Sequence, residues 1–145
     1  MRFGWINWIN IATVLYLILV NILAARKGLA GSFNSKYLAV NVFEQIGRYG
    51  CMALMIFLIF TKGWKFGFSS VIEMLIWICL TILLLLIYGL LWVKKPDGRA
   101  GVYYGLAIIP VVLFLLNGIL LRHLTLVIVS LVFGVFHFII VKENV

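Results

Sequence analysis

Glu44 and Arg48 stand four residues apart in NVFEQIGRYGCMALMIFLIF (41–60), a stretch otherwise apolar enough for lipid. On a helix that spacing puts both side chains on one face, and Glu ahead of Arg is the favourable order. Asn41 and Gln45 extend the pair into one polar stripe. A charge at bilayer depth costs about 2.5–3.5 kcal/mol on insertion scales and is seldom idle. A carboxylate–guanidinium contact offsets much of that cost by cancelling charge locally. Both signs together argue against a simple cation or anion pore. They suit recognition of a zwitterionic or polar headgroup, or a gate that opens by breaking the pair. The competing reading is structural: buried polar pairs fasten membrane helices, at about 0.6 kcal/mol per interhelical bond.

The elements that must carry this stripe follow from composition. The 145 residues are 66% hydrophobic, with a mean hydropathy of +1.21, against about 45–50% apolar in soluble domains. The excess lies in runs far longer than the alternating segments of about 10 residues that build barrels. Lipid cannot satisfy backbone polar groups, so such runs must be helices. Runs at about 5–25, 38–60 and 71–93 are separated by RKGLAGSFNSKY and TKGWKFGFSS, and KKPDGRAG closes the third. The stretch 101–141 is too long for one span and suits two, about 101–121 and 123–141, joined by a very tight turn at Arg122–His123. The expected fold is all-α: a polytopic integral membrane protein, one domain, a bundle of five transmembrane helices. Heavier charge after the first run than before it favours a retained anchor over a cleaved signal.

Net charge is +8, with twelve Lys and Arg against four Asp and Glu. The basic residues sit between the apolar runs, so orientation and anionic lipid headgroups explain them, and nucleic acid is not expected. Arg26, Lys27, Lys36, Lys94, Lys95, Arg99 and Lys142 fall on one side; Arg2, Lys62, Lys65 and Arg122 fall on the other. Seven against four places the N-terminus outside and the C-terminus inside. Trp5, Trp8, Trp64 and Trp92 lie near run ends, as interfacial aromatics do.

With that orientation Glu44 lies about 9 Å and Arg48 about 15 Å into the second helix, at 1.5 Å per residue. Arg48 is then too deep to reach water along a lipid face and should face other helices or a cavity. Asn21, Tyr88, Tyr103, Tyr104 and His137 fall at compatible depth on the other helices. A cytoplasm-facing pocket formed by Glu44, Arg48, Asn41, Gln45, Asn21, Tyr88 and His137 is the candidate ligand or ion site. The outer half is poorer, with Asn117, His123 and Glu73 near its edge. Pro110 interrupts the fourth helix and removes one backbone bond. Gly47, Gly50 and the Gly101-x-x-x-Gly105 pair permit close helix contact.

Cys51 and Cys79 form no CxxC and no metal spacing. Buried free thiols are expected, with a redox pair at similar depth as the alternative. His123 and His137 stand fourteen residues apart, nearly four turns. Two-haem membrane cytochromes use about this spacing on two helices, so a homodimer would have to complete a haem site here. Interface or hydrogen-bonded histidines are the alternative, and no cofactor or metal is expected. HExxH, GxSxG, P-loop and GxGxxG motifs are missing. Glu, Arg and His could do acid–base work on a lipid, but no nucleophile stands beside them.

EQIGRYGCM (44–52), NGILLRH (117–123) and FGVFHFII (133–140) resemble stretches of a family of small, uncharacterised bacterial membrane proteins that cross the membrane several times. The resemblance implies a bacterial cytoplasmic membrane and no activity. It marks Glu44, Arg48, Arg122, His123 and His137 as motif positions. The leading expectation is a non-enzymatic protein that binds or transports a small polar or amphiphilic molecule. Its partners would be membrane lipids, with a homo-oligomer or larger membrane complex suggested by the small number of helices. The alternatives are an accessory subunit of a larger complex and a haem- or lipid-linked membrane enzyme.

Overall fold

The computed structural model describes residues 5–29, 33–57, 67–94 and 99–145. Among them are five helices and no β-strand: α1 (Trp8–Arg26), α2 (Leu38–Ile56), α3 (Val71–Lys94), α4 (Ala100–Leu120) and α5 (Leu124–Asn144). The helix α1 starts three residues later than expected because Asn7 caps it, its Oδ1 accepting from the Asn10 N–H at 3.1 Å. Trp5 therefore precedes the helix, almost fully exposed. The helix α2 stops at Ile56, short of the expected residue 60; Phe57 turns extended and bridges Ile6. Residues 58–60 lie outside the described residues, as do Arg2, Lys62, Trp64, Lys65 and Lys95, so the orientation argument draws partly on residues without a described position.

The helices pack in the ring order α1–α2–α5–α4–α3 and back to α1. The contacts fix their directions. Asn7 donates its backbone N–H to the Ile56 carbonyl at 2.8 Å and Asn10 Nδ2 donates to the Met55 carbonyl at 3.0 Å, so the start of α1 meets the end of α2. Tyr16 Oη donates to the Leu85 carbonyl at 3.1 Å, running α1 and α3 parallel. Gly47 faces Phe133 so closely that a Cβ on it would lie 2.8 Å from the Phe133 Cβ and 3.0 Å from its Cα. This close approach sets the α2–α5 register. Gly105 approaches the Leu91 side chain, whereas Gly101 faces open space, so only one member of the expected glycine pair packs.

The α4–α5 turn is as tight as the sequence required. His123 N–H donates to the Gly118 carbonyl at 2.7 Å and Arg122 N–H to the Ile119 carbonyl at 3.1 Å, the two bonds of a Schellman cap. The cap needs a left-handed residue, and Arg122 supplies it at φ 57° where glycine is usual. Its guanidinium then reaches Glu73 at 3.1 Å and the Gly67 carbonyl at 3.3 Å, tying the turn to the start of α3. Nearby, buried Trp77 donates its indole N–H to Asn117 Oδ1 at 2.8 Å.

Polarity is inverted relative to a soluble bundle. Glu44, Asn10, Asn117 and Ser130 are buried, while Leu83, Leu86, Leu90, Ile128, Leu131 and Val135 are each more than half exposed. An apolar surface of this extent suits a membrane setting. The helices α1, α3, α4 and α5 are long and apolar enough to cross a membrane. The helix α2 falls short of them in apolarity because Asn41, Glu44, Gln45 and Arg48 occupy four of its 19 positions. The cysteines separate: Cys51 is buried in the core and Cys79 is exposed, both free, so neither a redox pair nor two buried thiols is present. Cys79 projects outward because it lies off the buried Trp77–Thr81–Tyr88 face of α3.

Candidate functional site

The polar groups gather in one half of the ring. Glu44 Oε1 accepts from Arg48 Nε at 3.1 Å and from Arg48 Nη2, one turn further along α2. His137 of α5 brings Nδ1 within 2.8 Å of the same oxygen. Three contacts thus converge on one carboxylate oxygen, supplied by two antiparallel helices locked in register at Gly47 and Phe133. An acceptor shared with a guanidinium is a carboxylate, so His137 must present Nδ1–H to it. The Glu44 side chain is 2% exposed, His137 16% and Arg48 36%.

These residues edge a cavity of about 270 Å³. Every helix contributes to it: Asn21 from α1, Gln45 from α2, Tyr88 from α3, Tyr103 from α4 and His137 from α5 are all on its wall. Tyr88 Oη donates to Asn21 Oδ1 at 3.1 Å, and Asn21 Nδ2 turns back to the Leu17 carbonyl at 2.7 Å. The rest of the wall is apolar or aromatic, including Leu17, Met52, Trp92, Phe114 and Phe133. Pro110 is buried on the same wall. Lacking an N–H, it leaves the Leu106 carbonyl, on the same wall, without its helical donor.

Of the residues expected at the site, Glu44, Arg48, Gln45, Asn21, Tyr88 and His137 all line this cavity. Asn41 does not. Its side chain folds back on the loop before α2, accepting from the Ser35 N–H and donating to the Ser35 carbonyl, both at 2.8 Å. A polar residue in the first turn of a helix meets the free backbone groups of the preceding loop, and that draws Asn41 away from the interior. His123 lies at the far end of the bundle as the N-cap of α5, wholly buried. It shares no site with His137, and a fully buried ring offers no face to a haem held by a second chain.

Aromatic walls were missed in the sequence. Phe133 stacks on the His137 ring, with centroids 4.8 Å apart, and Trp92 meets Tyr88 edge-on. Both lie one turn from a polar residue, the same i, i+4 spacing that joins Glu44 to Arg48. That spacing from a polar anchor was the available signal. Among the described residues, the wall carries no serine, threonine or cysteine. Among the described residues no three His, Cys, Asp or Glu side chains cluster.

No family model matches the chain, and neither a curated protein nor a solved structure is similar to it.

Proposed function

We propose that the protein resides in the bacterial cytoplasmic membrane with α2 as a fifth span. In this reading it binds a small polar or amphiphilic molecule in the cavity around Glu44, Arg48 and His137, and holds it or passes it across. One observation carries the reading: a charged, hydrogen-bonded cluster edges a cavity walled by all five helices of a bundle whose outside is apolar. Cross-linking alone needs no space beside the cluster.

The fifth span draws on the two faces of α2. Val42, Phe43, Ile46 and Tyr49 are about half exposed or more, while Glu44, Gly47, Cys51 and Leu54 turn inward. A helix that buries its polar stripe and presents apolar groups outward suits lipid despite its lower average apolarity. The cavity occupies the half of the bundle holding the ends of α1, α3 and α5, where the majority of basic residues fall. By the positive-inside rule that half faces the cytoplasm.

The test is a high-resolution structure in a lipid nanodisc. Density between Glu44, Arg48 and Tyr88 that the chain does not account for is the expected result. A dry cavity closed by side chains would overturn the reading and leave the cluster as a fastening. A second reading, an accessory or oligomeric role, is favoured by a different feature. A groove of about 480 Å³ runs between α4 and α5 on the outer face, lined by Ala107, Val111, Gly134 and other apolar residues. Small residues on a lipid-facing surface let a neighbouring helix approach closely. Co-purification of a stoichiometric partner or a defined oligomer tests it.

A further inference from the structure

We propose that the cavity takes an oxyanion at Arg48 together with one proton at His137. This rests on the binding role above and adds the chemical class of the ligand. The first observation is the uneven burial of the ion pair. Glu44 is sealed at 2% exposure while Arg48 retains 36%. An entering group therefore meets the guanidinium, with the carboxylate behind it. A guanidinium fork matches the paired oxygens of a phosphate or carboxylate. Gln45, exposed at the same edge, and the Tyr103 phenol add neutral hydrogen-bonding groups.

The second observation is charge balance. The Glu44–Arg48 pair sums to zero, and a His137 with hydrogen on Nδ1 alone would leave the empty cluster at zero. An oxyanion added to it would leave −1 among apolar helices, which is costly unless compensated. A second proton on His137, at Nε2, restores zero and gives alternating charges: ligand, Arg48, Glu44, His137. Among the described residues, the other ionisable groups on the wall are the phenols Tyr88 of α3 and Tyr103 of α4, which can only lose a proton. From α1 the wall has Asn21 but no charge; the Tyr16 hydroxyl is bonded to the Leu85 carbonyl. Tyr104 packs on Phe138, and Lys142 and Glu143 lie exposed beyond the cavity at the end of α5. Protonating Glu44 instead would discharge the oxygen that all three contacts share. His137 is therefore the group that takes the proton, drawn from the aqueous phase.

The oxyanion could belong to a lipid headgroup, its chain along Leu17, Met52 and Leu106, or to a soluble anion. The full chain in phosphatidylcholine nanodiscs distinguishes them by calorimetric titration at pH 7.5, in two buffers of different ionisation heat. The probes are dihexanoyl phosphatidylglycerol, dimethyl phosphate and dihexanoyl phosphatidylcholine. Binding of a phosphodiester anion with uptake of about one proton per ligand is expected, with phosphatidylcholine at least tenfold weaker. Equal affinity for dimethyl phosphate would assign the soluble source, and binding of phosphatidylglycerol alone the lipid source; both support the oxyanion. Arg48→Gln should weaken binding tenfold or more and Arg48→Lys less. His137→Gln should abolish proton uptake. Phosphatidylcholine binding as tightly as phosphatidylglycerol, or anion binding without proton uptake in the unaltered protein, overturns the proposal and leaves the binding role standing. If no probe binds, the proposal is overturned, and the binding role is decided separately by density in the cavity. The comparison of probes on the unaltered chain needs no variant to fold.

Discussion

Removing either member of the Glu44–Arg48 pair should damage the protein unequally, and removing both should repair it. Arg48→Met leaves a carboxylate that is 2% exposed with His137 as its remaining partner among those observed. Stranding a buried charge costs about 3–5 kcal/mol. Glu44→Gln costs less. The amide still bonds His137, and Arg48, already about one-third exposed, turns its guanidinium to the cavity. The loss is then near the lower end of a charged hydrogen bond, about 1.5 kcal/mol. The double variant buries two neutral groups, and neutral replacement of a buried pair is often harmless or stabilising by about 1–4 kcal/mol. The singles sum to about 4.5–6.5 kcal/mol, so with a harmless double variant the coupling should be at least about 4.5 kcal/mol, well beyond the ~0.5 kcal/mol within which independent sites add. Denaturant or thermal unfolding of the four proteins in one detergent measures it. Additive losses would refute the pairing. Glu44→Gln proving costlier than Arg48→Met would refute the burial asymmetry on which the oxyanion argument rests.

Other positions give independent checks. Gly47→Ala should lower the unfolding midpoint, because a Cβ 2.8–3.0 Å from the Phe133 Cβ and backbone costs about 1–3 kcal/mol in overpacking. Gly101→Ala, with open space around it, should be neutral or gain up to about 1 kcal/mol of helix propensity; the reverse order of the two would contradict the α2–α5 register. Asn117→Leu removes the Oδ1 acceptor of the buried Trp77 indole N–H and should cost about 1–3 kcal/mol, read by unfolding and by a change in tryptophan fluorescence. Arg122→Gly exchanges a half-exposed ion pair, worth about 0–1 kcal/mol, for relief of a left-handed backbone, so stability should stay within about 1 kcal/mol. In detergent, N-ethylmaleimide should modify Cys79 while the fold is intact and Cys51 only after unfolding, as mass spectrometry of the peptides would show.

Most of the helical framework was legible because it depends on run length and on punctuation. The α3 span needed only a long apolar run followed by the sequence Pro-Asp-Gly, and its observed bounds differ from the expected ones by one residue. The α4–α5 turn followed from counting residues against the span length. The end of α2 was not legible, because the Ile6–Phe57 bridge joins segments some fifty residues apart; the start of α1 was set by a local cap, Asn7 on the Asn10 N–H, which a count of apolar residues passes over. At the candidate site, charged residues in apolar runs announced themselves by cost, so Glu44, Arg48 and His137 could be named. Asn41 belongs to the same stripe by spacing, yet the adjoining loop claimed it. The aromatic wall was silent for the opposite reason: Phe114 facing a cavity and Phe138 facing outward have the same composition, and only packing separates them.

The ring order explains why the cavity lies where it does. At one end of the bundle, the tight α4–α5 turn and buried hydrogen bonds draw the helices together: Asn7 and Asn10 to the end of α2, Trp77 to Asn117, and the Arg122 turn to Glu73. Trp77, Leu121 and Phe68 fill the interior there. Towards the other end, the side chains turned inward include, beside apolar ones, Asn21, Glu44, Arg48, Tyr88 and His137, groups that need partners and hydration more than close packing. The two requirements pull apart. An apolar interior closes on itself, whereas a charged one remains open until a ligand or water completes it. Asn144 ties the end of α5 to the Asn34 carbonyl at 3.1 Å, so the open half is bounded by the α1–α2 connection. The packed end keeps the register of Glu44 against His137. On the proposed binding role, the cluster stands where its 36%-exposed guanidinium can meet a ligand in front of the sealed carboxylate.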